Sequence, residues 1–184
     1  PVEGVGVGLC TAGATGGAAA GASDSKMPDM QAGWEQMCSS VMAGLSGLNM
    51  VYEAAGMHAS LLGFCHESLI LGDDLIGQSM RCVRGIEVND ETLALDQIAD
   101  VCLNGPGHYL GTDQTLGRMQ SDHVYPQLGD RTSPKEWAEI GKPVLTEKAT
   151  KIKEDILSKP SEVAFDPILD ANLRKKYKIH LNMN

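Results

Sequence analysis

The sequence predicts an α/β fold with parallel strands, in which the sheet is laterally incomplete. Three observations lead there. Helical periodicity recurs in roughly five or six segments, whereas strand character is convincing in one segment and weaker in a second. The order strand, helix, strand, helix implies parallel pairing with helical cover on both faces. One or two strands do not make a stable sheet alone. Further strands are therefore expected upstream. The first residue is Pro1 and not Met, as expected of a fragment, a processed product or a trimmed chain.

Residues 1–22 are almost all small, with glycine at 4, 6, 8, 13, 16, 17 and 21. Ordering glycine loses more backbone entropy than ordering any other residue. This leader is expected to be flexible or held by partner segments. Val5, Val7 and Leu9 alternate as a short strand, and order should begin near Ser23. Asp29 can cap a helix from Met30 to about Leu45. Trp34, Met37, Cys38, Val41, Met42 and Leu45 recur on one face of it, and Gly47 stops it. Residues 48–53 read as a buried strand, followed by a small-residue turn at 54–56.

A second helix fits residues 66–84, with Leu69, Ile70, Leu75, Ile76, Met80 and Val83 as its apolar stripe and Gly85 at its end. Asp73 and Asp74 project about 100° apart on it, so at least one should face solvent. Asn89 caps a third helix over 90–103, with Val88 and Leu93 placed as a hydrophobic staple. Residues 104–131 read as irregular, with His108, Asp113 and Arg131 as candidate ion-pair anchors. Ser133, Pro134 and Glu136 form a capping box that opens a short helix ending at Gly141. Thr146 starts another, with Ala149, Ile152 and Ile156 inward and Glu147 paired to Lys151. Asp166 and Pro167 open a last short helix.

Composition excludes several classes. The 184 residues are 42% hydrophobic, 21% charged and only 4% aromatic, so the core must be aliphatic. A formal net charge of −9 argues against nucleic-acid binding. The basic cluster Arg174, Lys175, Lys176 and Lys178 reads as a solvated helix end. No apolar run is long enough to cross a bilayer, and no secretory signal opens the chain. The five cysteines (Cys10, Cys38, Cys65, Cys82, Cys102) are odd in number and scattered, as expected of reduced thiols in a cytoplasmic protein. His58, Cys65, His66 and His108 match no common zinc spacing, so no metal site is expected.

Residues 23–35 (SDSKMPDMQAGWE) resemble the trimethylamine methyltransferase family. So do residues 49–57 (NMVYEAAGM), 67–77 (ESLILGDDLIG), 84–96 (RGIEVNDETLALD), 108–115 (HYLGTDQT), 125–131 (YPQLGDR) and 136–141 (EWAEIG). The ordered set is specific, although no single piece is diagnostic. The resemblance implies the C-terminal portion of a (β/α)8 TIM-type barrel plus a C-terminal helical extension. Residues 1–22 would be a leader, 23–103 the last β/α units, and 104–184 the irregular segment and helical extension. It implies methyl transfer from a methylated amine to the cobalt of a corrinoid, with no cofactor bound directly. The corrinoid protein and a small methylated amine would be the partners. The trimethylamine enzymes of methanogens carry pyrrolysine just before the Ser-Asp that matches Ser23 and Asp24, whereas Gly21 stands there in this chain. That resembles the branch lacking pyrrolysine, whose characterised members act on quaternary amines such as glycine betaine.

In such a barrel, functional groups sit at the C-terminal ends of strands. The substrate-binding candidates are Asp24, Lys26, Met57, His58 and Glu67. Asp24 could face a cationic head group, or form a simple turn with Ser23. Met57 and His58 should open on the same face after the second strand. There His58 could hold a carboxylate or donate a proton, or be an ordinary polar loop residue. Glu67 opens a helix, where the dipole stabilises a carboxylate without any functional demand. Trp34 and Tyr52 could face the cation or pack in the core. No catalytic acid or base is assigned, because a quaternary amine leaves as a neutral amine and needs no proton.

Two other readings stand beside this one. Residues 11–21 (TAGATGGAAAG) superficially resemble a dinucleotide-binding loop. Pro28 and the polar residues before it interrupt the helix that such a loop must open. Alternatively the chain is a non-catalytic piece that completes a barrel supplied elsewhere, and by itself it should be poorly stable or oligomeric.

Overall fold

The computed structural model describes residues 16–159 and 166–179, so the expected strand at Val5 to Leu9 lies outside the described residues. Order begins earlier than Ser23. Strand β1 (Gly17–Ala19) pairs in parallel with β2 (Met50–Tyr52), in the register Gly17 to Met50 and Ala19 to Tyr52. The ladder starts at Gly16, whose carbonyl accepts from Asn49 and Met50 and whose amide donates to the Asn49 side chain at 3.1 Å. Alanines 18 and 20 are buried. Ladder bonds and burial thus offset the entropy that made this run look flexible. An extended Gly17–Ala19 is also a strand and not the phosphate-cradling turn a dinucleotide site requires.

Helix α1 (Met30–Leu45) starts where expected, with Asp29 Oδ1 accepting from the Ala32 amide at 3.0 Å. Its buried face differs from the expected one. Ala32, Gln36 and Ala43 point inward, while Met30, Trp34, Met42 and Leu45 are exposed. Helix α1 packs on α2 (His66–Arg84), with Gly44 against Val83 and Ser79 Oγ donating to Met37 Sδ at 3.4 Å. A Cβ on Gly44 would lie 2.4 Å from Val83 Cγ2, and one on Gly72 of α2 would lie 2.5 Å from Ala55 Cβ. Such close packing selects glycine at the contact and turns the bulky apolar stripe outward. The residues of β2 expected to be buried are also partly open, with Tyr52 48% exposed and Trp34 of α1 59% exposed. Neither aromatic packs in a core.

Between β2 and α2 the chain forms an unexpected hairpin, β3 (Met57–His58) antiparallel to β4 (Gly63–Phe64). Strands of two residues are too short for alternation to register in the sequence. At its tip Ala59, Ser60 and Leu61 all have left-handed backbones, with φ of 52°, 54° and 69°. Each such L-residue costs roughly 1–2 kcal/mol, so other contacts must hold the tip.

The expected third helix breaks at Ala94, which is left-handed, into α3 (Asp90–Leu93) and α4 (Leu95–Ala99), followed by a π-helical turn at Asp100–Asn104. The break lets both pieces meet α5 (Asp113–Ser121), a helix inside the stretch expected to be irregular. Gln97 of α4 donates to Thr112 and Gln114, while Glu91 of α3 pairs with Arg118 at 3.2 Å. His108, Asp113 and Arg131 make no ion pair among the described residues; Arg81 and Arg84 of α2 hold this region instead, donating to the Asp122 and Ser121 carbonyls at 2.6 Å. Helix α6 (Pro134–Glu139) has the expected capping box. Helix α7 (Leu145–Ser158) buries Ala149, but Glu147 accepts from the Val144 amide in place of pairing with Lys151. The chain divides into two compact units after Lys153. In the second, α8 (Pro167–Lys176) is capped by Asp166 as expected and carries an Asp170–Arg174 pair at 2.7 Å.

Asp73 is exposed, while Asp74 grips the loop before α6, its two oxygens accepting from the amides of Gln127 at 2.9 Å and Leu128 at 3.3 Å. Leu128 is buried. Asp74→Ala is expected to destabilise the protein by about 2–3 kcal/mol, the usual effect of stranding amides that bonded a charged group. Urea unfolding should show it as a lower midpoint, with Asp73→Ala nearly silent.

Candidate functional site

Because β1 and β2 are parallel, the segments leaving both emerge at one end of the sheet. The first is the loop from Ala20 to Asp29 and the second is the hairpin. They lock together through backbone bonds: Ser23 N to Met57 O at 3.1 Å, Ala59 N to Ser25 O at 2.9 Å, and Ser60 N to Ser23 O at 3.4 Å. Those bonds hold the left-handed tip against the loop.

Three sequence-predicted residues meet here. Asp24 is exposed, and its Oδ1 accepts from Ser60 Oγ at 2.6 Å. The Lys26 ammonium donates to the Asp24 carbonyl at 2.9 Å and is also exposed. Met57 is half-buried in the hairpin. His58 does not open on this face as expected: it is only 3% exposed. Its Nδ1 lies 3.2 Å from the Ser25 carbonyl, which can only accept, so that nitrogen donates. Nε2 is hydrogen-bonded to Ser68 Oγ at 2.5 Å. The imidazole is a buried tie between loop and α2, because both nitrogens are used.

The residue that organises the loop is Glu35 on α1, which nothing in the sequence singles out. Its Oε2 accepts from Ser23 Oγ at 2.6 Å and from the Asp24 amide at 2.9 Å, and its Oε1 accepts from Gln31 at 2.9 Å. The hydrogen bonds from Ser23 and Gln31 hold its carboxyl below the usual carboxylate range. A spacing of twelve residues from a buried serine leaves no local signature in the sequence.

Glu67 lies apart from this cluster. It sits on the first turn of α2, where its Oε1 accepts from Lys153 Nζ of α7 at 2.6 Å and its Oε2 from Cys65 Sγ at 3.3 Å. Lys153 is the main reason its pKa falls from 4.5 to about 2. Since the folded value is the lower one, the ionised carboxylate stabilises the fold above pH 4.5, and that contribution is lost as pH falls towards 2. Lys153→Met is therefore expected to lower the unfolding midpoint at pH 6 and to flatten its fall between about pH 4.5 and 2; parallel pH titrations of both proteins check this.

The described fold is α/β, with a parallel strand pair that delivers an ordered polar loop to one end of the sheet. The family model described as trimethylamine methyltransferase (MTTB) matches residues 16–180, and the chain belongs to that family. It is 31% identical to the glycine betaine methyltransferase of Desulfitobacterium hafniense (strain Y51) over 84% of the chain and 32% of that protein. It is 35% identical to the trimethylamine methyltransferase MttB2 of Methanosarcina mazei over 83% of the chain and 29% of that protein. For the trimethylamine methyltransferase MttB of Methanosarcina barkeri (strain Fusaro) the values are 35%, 73% and 26%. The chain thus spans about a third or less of these relatives.

Proposed function

We propose that this chain is the C-terminal part of a barrel methyltransferase that moves a methyl group from a quaternary amine such as glycine betaine, with trimethylamine as second candidate. The acceptor is the cobalt of a corrinoid on a separate protein. The observation that carries the proposal is Asp24, past the end of the parallel strands: its solvent-facing carboxylate accepts from Ser60, and its main-chain amide is held by Glu35. It suits the cationic head group, and the neighbouring Lys26 ammonium suits the carboxylate of a betaine. The exposed apolar stripe of α1 supports a place inside a larger barrel, in which further elements would cover it.

Gly21 supports the quaternary-amine branch. Its φ is +86°, and a Cβ there would lie 2.1 Å from the Ala54 carbonyl oxygen. The position implied for pyrrolysine in the methanogen enzymes has no room for a side chain in this chain.

The corrinoid fits the role of second substrate. The only buried imidazole among the described residues, His58, has both nitrogens hydrogen-bonded, to the Ser25 carbonyl and the Ser68 hydroxyl. In the transfer, the electron pair of the reduced cobalt forms the new bond to the methyl carbon. The C–N pair stays on nitrogen, and a neutral tertiary amine leaves. No proton moves, so the protein's work is to orient the cation for in-line attack. The test mixes the complete polypeptide with its reduced corrinoid protein and glycine betaine or trimethylamine, following the cobalt spectrum and the amine by mass spectrometry. Demethylation of glycine betaine is expected, and no transfer from any methylated amine contradicts the proposal.

A further inference from the structure

We infer that Glu35 is the positioning residue of the substrate site: it sets where the Asp24 carboxylate stands, without touching the substrate. This rests on the proposed role of Asp24. Asp24 is exposed and cannot be held by packing, so its direction depends on hydrogen bonds. One comes from Ser60, itself on the left-handed hairpin tip. The other hold is through the main chain, where Glu35 Oε2 receives the Asp24 amide and the Ser23 hydroxyl together. Ser23 is buried, and its Oγ also accepts from the Ser25 amide at 2.9 Å, so one carboxylate oxygen anchors the whole Ser23, Asp24, Ser25 turn. Gln31 locks the other oxygen from one turn earlier on α1. A rigid helix thereby fixes a surface loop, which is how a site on a loop is given a defined geometry.

The role needs an acceptor oxygen and not a charge. In Glu35→Gln the amide oxygen can take the place of Oε2, while its NH2 faces Gln31, whose side chain can flip to accept. Glu35→Gln should therefore rescue what Glu35→Ala loses.

The experiment measures KM for glycine betaine in the complete polypeptide, with its corrinoid protein, for Glu35→Ala, Glu35→Gln, Asp24→Asn and the double variant Glu35→Ala/Asp24→Asn, with thermal melting alongside. Glu35→Ala should raise KM about tenfold, the effect of losing the hydrogen bond that fixes the Asp24 main chain. Glu35→Gln should stay near wild type, and the double variant should match Asp24→Asn alone. A merely structural residue would lower melting temperature and the active fraction but leave KM unmoved. If Glu35→Ala does not fold, Glu35→Asp, which keeps the charge and shortens the reach, takes its place. Effects of Glu35→Ala and Asp24→Asn that multiply in the double variant overturn the positioning role while leaving the function of Asp24 intact. A KM unchanged by Asp24→Asn overturns the proposed role of Asp24, and the positioning role with it.

Discussion

Gly21→Ala is expected to be the most destabilising single-methyl change in the described structure. Two effects add. The backbone there is left-handed at φ +86°, which costs an L-residue roughly 1–2 kcal/mol. The new methyl would also lie 2.1 Å from the Ala54 oxygen and 2.7 Å from its carbonyl carbon. Both are backbone atoms at the turn between β2 and the hairpin, so no side chain can swing away. Relief by main-chain shifts of this kind typically costs about 1–3 kcal/mol. The Gly21 amide also donates to Ser39 Oγ at 2.9 Å, which pins the residue to α1 and limits that shift. A loss of roughly 2–5 kcal/mol follows, read as a fall in the urea midpoint. Gly47→Ala is the control: φ there is +73° and no atom stands within 4 Å of the place its new methyl would take, so only the backbone effect of roughly 1–2 kcal/mol should remain.

Asp24→Asn is expected to have the largest effect on activity. The change is isosteric, and the amide oxygen can still accept from Ser60, so the loop geometry should survive. What disappears is the negative charge that the proposal sets against the ammonium head. An exposed charge pair is weakened by water, while one closed off by bound substrate is worth more. A KM for glycine betaine raised by about tenfold or more follows, with little change in the melting temperature. Steady-state kinetics of the complete polypeptide, with the corrinoid protein saturating, separate this from a loss of folded protein.

The helix starts were legible in the sequence because they depend on local chemistry. Asp29, Asn89, Ser133 and Asp166 each accept from an amide two or three residues on. Helix α2 could be read from end to end, since periodicity and Gly85 agree. The buried faces could not be read. The buried positions of α1 and α2 are alanine, glutamine, serine and glycine, which carry little hydropathy signal, while Trp34, Met42 and Leu45 of the α1 stripe are exposed. The third helix failed for a related reason: its apolar pattern runs on through Ala94, but tertiary contacts to α5 bend the chain there.

At the proposed site, the turn in which Asp24 and Lys26 stand was legible because it is local. The burial of His58 and the ion pair of Glu67 could not be read, because their partners are not local. The ring of His58 is claimed by Ser25 and Ser68, and Glu67 is bound by Lys153, 86 residues away. Both side chains tie distant segments together.

The central claim is that the fixed Asp24 carboxylate recognises positive charge on a trimethylated head group. Calorimetric titration of the complete polypeptide with glycine betaine and with 3,3-dimethylbutanoate, its uncharged-head carbon isostere, tests this most directly, because the two share shape and carboxylate. Wild-type protein should bind glycine betaine at least about tenfold more tightly, and Asp24→Asn should erase the difference. Equal affinities in the wild type, or a preference that survives Asp24→Asn, would contradict the claim.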